Sequence, residues 1–266
     1  MSGYQETPGG DFQRHAEFSS SVKTLAHISD LHIGKSAKRL NTAKEIYAAL
    51  IASTVDLTVV TGDITEHGRT DEYRLFEEIF NDLIVQGKLF VVPGNHDRWG
   101  DDLGQRMMNG VRIETVCQAG VCLIRVDSTE PRNRIRISGH GDITEGMFDA
   151  IERAILGAAQ NDLVVIALHH HLLPQPEDLW IEKVSNWLRL PFAKELRAGQ
   201  ELIERLQGKC NLILHGHRHE LKETTFPGER VLSVYNAGST TQLGGFRIFT
   251  HRDGRIICEP RWVDVR

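Results

Sequence analysis

Five times along this chain, a short apolar run rich in Val, Ile and Leu ends abruptly in residues that bind protons or cations. Residues 22–29 lead into Asp30-Leu31-His32, 57–60 into Thr61-Gly62-Asp63, and 89–92 into Pro93-Gly94-Asn95-His96-Asp97. Residues 163–168 lead into His169-His170-His171, and 212–214 into His215-Gly216-His217-Arg218-His219. Short β-branched runs bounded by Gly and Pro are the signature of buried strands. Between them, helical spacing of apolar residues predicts helices over 37–53, 70–86, 144–159 and 194–206. Alternating strands and helices specify an α/β fold. Three later runs, 230–235, 246–251 and 255–262, read as strands, with a hairpin signal at Asp253-Gly254. These call for a second sheet.

At 266 residues with 40% hydrophobic content, the chain can bury a full core. Residues 1–21 are polar and contain Gly9, Gly10 and three consecutive serines, so a flexible tail is expected there and one domain over 22–266. The net charge is -5 without a Lys/Arg block, which argues against duplex nucleic acid as a partner. No run approaches the length of a transmembrane segment. Cys117, Cys122, Cys210 and Cys258 form no CxxC pair, which predicts reduced, mostly buried thiols and a cytoplasmic location. Residues 172–192, with Pro174, Pro176, Trp180, Trp187 and Pro191, read as an elaborated loop. Its tryptophans suit either packing or stacking on a base.

The carboxyl ends of strands form the ligand crevice of α/β sheets. The five polar segments would meet there, bringing carboxylates at Asp30 and Asp63, an amide oxygen at Asn95, and imidazoles at His32, His169, His217 and His219. Mixed nitrogen and oxygen donors without thiolates suit Mn, Fe, Zn, Co or Ni. Asp63 has the two oxygens that a ligand bridging two ions needs. Two divalent ions would outweigh the two carboxylates and a hydroxide, leaving positive charge to attract a phosphate and acidify water. Each segment alone has a plain reading: Gly-Asn-His-Asp as a tight turn, three histidines as surface. All five in order, each after a strand, point to a metal centre.

Asp30-Leu31-His32, Gly62-Asp63, Gly94-Asn95-His96-Asp97, His169-His170 and Gly216-His217-Arg218-His219 together resemble the calcineurin-like metallophosphoesterase superfamily. The resemblance implies a four-layer α/β/β/α sandwich of two mixed sheets flanked by helices, with two metal ions (Mn, Fe or Zn) at the strand ends. It puts Asp30, His32, Asp63 and His219 on one ion and Asp63, Asn95, His169 and His217 on the other, with Asp63 bridging. Because His170 and His171 follow it, His169 competes with His170 for its place; the first histidine after the strand is the expected ligand. The resemblance makes His96 the proton donor to the leaving oxygen, with Asp97 orienting its imidazole. The implied reaction is hydrolysis of a small-molecule phosphate ester by in-line attack of a metal-bridging hydroxide.

Residues 62–66 and 95–97 depart from the Asp-Arg-Gly and Asn-His-Glu patterns of the Ser/Thr phosphatase branch. The compact length and the Ser29-Asp30-Leu31-His32 opening look most like bacterial class III cyclic-nucleotide phosphodiesterases, which makes a phosphodiesterase the expected activity. Two alternatives stay open: a UDP-diacylglucosamine-type pyrophosphate hydrolase and a non-catalytic binding scaffold. The filled ligand positions argue against the scaffold. The sequence does not set the oligomeric state.

Overall fold

A computed structural model describes residues 21–129, 141–173 and 198–266. Residues 1–20 of the expected tail, nearly all of the 172–192 loop and the start of the 194–206 helix lie outside the described residues. In chain order, the elements are β1 (Lys23–Ile28), α1 (Ala37–Ala52), β2 (Leu57–Thr61), α2 (Thr70–Ile79), α3 (Asn81–Val85), β3 (Leu89–Val92), α4 (Gly104–Met107), β4 (Ile113–Gln118), β5 (Val121–Val126) and α5 (Glu145–Leu156). They continue with β6 (Leu163–Ala167), α6 (Gly199–Leu206), β7 (Leu212–His215), β8 (Leu221–Phe226), β9 (Leu232–Ala237), α7 (Thr240–Leu243), β10 (Gly245–Arg252), β11 (Arg255–Ile256) and β12 (Arg261–Asp264).

The strands form two mixed sheets. The first runs β11-β10-β1-β2-β3, with β12 also on β10; β1, β2 and β3 are parallel and β10 is antiparallel to β1. The second runs β4-β5-β6-β7-β9-β8, parallel from β5 to β9 with antiparallel edges. Every residue of β2, β5 and β6 is buried, because parallel strands here are covered on both faces. Three apolar layers separate the elements. Ile46, Leu50, Phe76 and Phe80 pack α1–α3 on the outer face of the first sheet. Leu25, Val59, Leu123, Val165, Leu214 and Phe249 fill the space between the sheets. Met147, Phe148, Ile151, Leu202 and Leu206 seat α5 and α6 on the second. This is the α/β/β/α sandwich anticipated from the sequence.

Several boundaries differ from expectation. The 70–86 helix is two helices, because Phe80, with φ -99° and ψ 14°, ends α2 and begins α3. The 255–262 run divides into β11 and β12, which take different stretches of β10 as partner. The β4–β5 hairpin and the edge strand β8 were not anticipated. Cys122 and Cys210 are buried but Cys117 and Cys258 are exposed, so the expected burial holds for half of the thiols. Among the described residues, no helix is long and apolar enough to cross a membrane.

Candidate metal centre

β1 and β2 are parallel neighbours, and their pairing continues into the loops beyond them. Asp30 N–H donates to Gly62 O (3.0 Å), His32 N–H to Asp63 O (3.0 Å) and Ile33 N–H to Ile64 O (2.9 Å). Asp30 and Asp63 are thereby set side by side at the carboxyl ends of the strands. Both are buried, and Ser29 Oγ donates to Asp30 Oδ2 at 2.6 Å. The loop after β3 closes over Asp63: His96 N–H donates to Asp63 Oδ1 at 2.8 Å. Gly94 is required there, since a Cβ would collide with both the backbone and the carboxylate of Asp63.

The second sheet brings its histidines to the same place. His169 Nδ1 donates to Thr61 O at 2.7 Å. Its Nε2 then faces Asn95 Oδ1 (3.2 Å), His217 Nδ1 (3.3 Å) and Asp63 Oδ2 (3.4 Å). His217 Nδ1 is also 3.1 Å from Asn95 Oδ1, and its N–H donates to the Asp30 carboxylate. Gly216 permits this contact, because a Cβ would meet Ser29 Oγ and Asp30 Oδ2. On the other side, His219 Nε2 is 3.2 Å from Asp30 Oδ1 and 3.0 Å from His32 Nε2. His32 Nε2 is 3.9 Å from Asp63 Oδ2. All seven side chains singled out in the sequence converge on one cluster with Asp63 Oδ2 between its two parts.

The donor chemistry fits cations. With His169 Nδ1–H engaged by a carbonyl, Nε2 of the neutral ring is a lone pair beside the oxygens of Asn95 and Asp63, an arrangement that a cation among them would satisfy. Two imidazole nitrogens 3.0 Å apart, both near Asp30, are spaced like adjacent ligands of one ion at metal–nitrogen distances of about 2.0–2.1 Å. Among the described residues, three groups have donor atoms close enough to share an ion: Asp30, His32 and His219; Asp30, Asp63 and His169; and His32, Glu66 and His96. Burial opposes a charge on His169, but Asp63 and Asp30 overcome it and raise the ring to about 9. The cluster thus demands positive charge even from a proton. Burial, then His169, keep His217 well below the usual histidine range, in the neutral form a ligand needs.

The backbone carries strain at these positions. Asp30, His32, Asp63, His217 and His219 have φ of 52°, 48°, 48°, 75° and 44°. Non-glycine residues rarely occupy this region, and such conformations concentrate at functional sites.

His96 sits at the rim with its side chain 20% exposed, and Nε2 is 4.0 Å from Asp63 Oδ2. Its ring packs on Trp99, with centroids 3.8 Å apart. Its orientation corrects one expectation. Asp97 does not hold the imidazole: its oxygens accept from Gly94 N–H (2.9 Å), Ile64 N–H (3.3 Å), Thr65 N–H (2.9 Å) and Thr65 Oγ1 (2.8 Å). The ring is held by Glu66 O, 2.8 Å from Nδ1. Asp97 ties the loop after β3 to the loop after β2. Of the competing histidines, His169 points into the cluster, while His170 turns its Nδ1 to Ser128 Oγ at 2.9 Å. Arg218 Nε lies 3.3 Å from His171 Nε2, and His171 stacks on His217.

Several contributors escaped the sequence reading. Ser239 Oγ donates to Asp30 O (2.9 Å) and Thr241 Oγ1 to Leu31 O (2.9 Å), holding the strained turn after β1; Arg39 binds both hydroxyls. Glu66 Oε2 lies 2.8 Å from His32 Nδ1. Its only sequence signal was a carboxylate three residues beyond Asp63.

Comparison with known proteins places the chain among phosphoesterases. The chain is 25% identical over 268 residues to a Rhodococcus erythropolis protein named "Probable cyclic nucleotide phosphodiesterase", covering 92% of this chain and 81% of that one. It is 25% identical over 268 residues to the Haemophilus influenzae 3',5'-cyclic adenosine monophosphate phosphodiesterase CpdA, covering 91% and 90%. Its fold matches the crystal structure of a dimetal phosphatase from Danio rerio with a TM-score of 0.63, at 11% identity, over 92% of this chain and 99% of that one. The profile of the calcineurin-like phosphoesterases matches residues 23–221. With the strand-end cluster of carboxylates and imidazoles, this establishes the chain as a metal-dependent phosphoester hydrolase that belongs to the calcineurin-like phosphoesterase family.

Proposed function

We propose that the protein is a phosphodiesterase with two metal ions, acting on a small diester of the cyclic-nucleotide class, and that residues 22–266 work as one catalytic domain. In this reading, Asp30, His32, Asp63 and His219 hold one ion, and Asp63, Asn95, His169 and His217 the other. The observation that carries it is the position of Asp63 Oδ2, 3.4 Å from His169 Nε2 on one side and 3.9 Å from His32 Nε2 on the other. Such a pair of ions supplies Lewis acidity to phosphoryl oxygens and lowers the pKa of water. Mn, Fe and Zn all suit the donor set.

The chain's own groups do the rest. The carbonyl of Glu66 accepts from His96 Nδ1–H, so His96 exchanges protons at Nε2, the atom turned to the cluster. A protonated His96 gives that proton to the departing alkoxide. Asp97 keeps the loops after β2 and β3 together and so sets the distance between His96 and Asp63. The substrate class rests on the names of the two relatives. It is tested by ranking kcat/KM of Mn-loaded protein on cyclic AMP, bis(p-nitrophenyl) phosphate and p-nitrophenyl phosphate. Both diesters should exceed the monoester; preference for the monoester, or no hydrolysis of any, rejects the reading.

A further inference from the structure

Glu66 touches both imidazoles that flank Asp63, and through different groups. Its carboxylate Oε2 lies 2.8 Å from His32 Nδ1, and its backbone carbonyl is 2.8 Å from His96 Nδ1. Both acceptors stand behind the rings, and both Nε2 atoms then point toward Asp63 Oδ2, at 3.9 and 4.0 Å. The two rings meet edge to face with centroids 4.7 Å apart. Glu66 is itself fixed. Its N–H donates to Ile33 O at 2.9 Å, and Lys35 Nζ is 3.2 Å from Oε1.

We propose that Glu66 is a positioning residue that sets the tautomer of both rings, His32 through its carboxylate and His96 through its carbonyl. A carbonyl only accepts, so His96 Nδ1 must carry the proton. A carboxylate 2.8 Å from His32 Nδ1, an ion-pair contact rather than an aligned hydrogen bond, favours the same state on His32 and leaves Nε2 as the lone pair available to a cation. Carboxylates behind ligating histidines act in this way in metal sites generally. One residue would thus prepare a ligand with its side chain and a proton donor with its main chain. The role in metal binding rests on the dinuclear reading above; the tautomers do not.

The test compares full-length wild type, E66Q and E66A, with the ring tautomers read on metal-free protein and zinc affinity measured by separate titration, because zinc on Nε2 would itself force the proton onto Nδ1. Imidazole ¹⁵N spectra should show His32 and His96 protonated at Nδ1 in the wild type. In E66A, His32 should lose that preference while His96, whose carbonyl partner remains, keeps it. One of two zinc equivalents should bind about 10–100-fold more weakly. E66Q, whose amide oxygen still accepts, should recover His32 Nδ1–H and part of the zinc affinity. The proposal is overturned if His32 keeps its Nδ1 proton in E66A, or if both rings change together, as general loosening would cause. A wild type that binds no zinc would reject the dinuclear reading instead, and the ring spectra would still decide the tautomer claim.

Discussion

The loops leaving β1, β2 and β3 carry Asp30, Asp63 and Asn95, with His32 and His96 between them, whereas those leaving β6 and β7 contribute His169, His217 and His219. The first set is held together independently of the second. Main-chain bonds join the loops after β1 and β2, and Asp97 binds the loop after β2 to the one after β3. The second set is anchored on the first: His169 donates to Thr61 O, and His217 N–H to Asp30. One sheet therefore supplies the anionic frame and the other docks imidazoles on it. Changes in the frame should have the wider consequences.

The largest effect is expected at Asp63. Asp63→Ala should reduce metal content from two ions per chain to none, whereas His217→Ala, on the docked side, should cost only one ion. Elemental analysis after Mn loading checks both, and equal loss from the two variants would break the asymmetry. His96→Ala comes next. Metal content should stay unchanged, while hydrolysis of diesters with poor leaving groups slows by about 10²–10⁴-fold and nitrophenyl esters are much less affected. Equal slowing of both would remove the proton-donor role.

Asp97→Asn separates frame from chemistry. Replacing an oxygen that accepts buried N–H bonds should destabilise the protein by about 1–3 kcal/mol in urea unfolding, without the leaving-group pattern of His96→Ala. If that pattern appears, Asp97 acts on the imidazole after all.

The smallest effect lies at the far end of the frame. Burial opposes ionisation of Asp56, but Thr24 N–H at 2.9 Å, Thr24 Oγ1 at 3.0 Å and Lys23 hold its carboxyl below the usual range. A depressed folded-state pKa means that this contribution is complete above the unfolded value of about 3.9 and is lost as pH falls through the folded one. Asp56→Asn should flatten the acid limb of the stability curve and leave hydrolysis unchanged; an unaltered acid limb would assign that loss elsewhere.

Legibility followed burial. β2, β6 and β7 were readable because central parallel strands become continuous apolar runs, and the polar residues that end those runs are the cluster itself. The Asp253-Gly254 turn was readable from its φ > 0 residues. The β4–β5 hairpin turns through Ala119-Gly120, and alanine is an unusual choice at φ 52°. β5 holds Arg125, buried by donating to Val91 O and Met107 O, and a charge within a run disguises a strand. β8 is an exposed edge, so its pattern is mostly polar. Within the site, atoms that face the cluster come from recognisable spacings, whereas those that act from behind do not. Glu66, Ser239 and Thr241 serve through contacts with residues distant in the sequence or through the main chain, and their residue types are common on any surface loop.

Anomalous scattering from Mn-soaked crystals tests the shared carboxylate most directly. Two peaks about 3.5–4 Å apart, on opposite sides of Asp63 and in contact with Asp30, His32 and His219 on one side and Asn95, His169 and His217 on the other, are predicted. A single peak, or peaks away from Asp63, would contradict it.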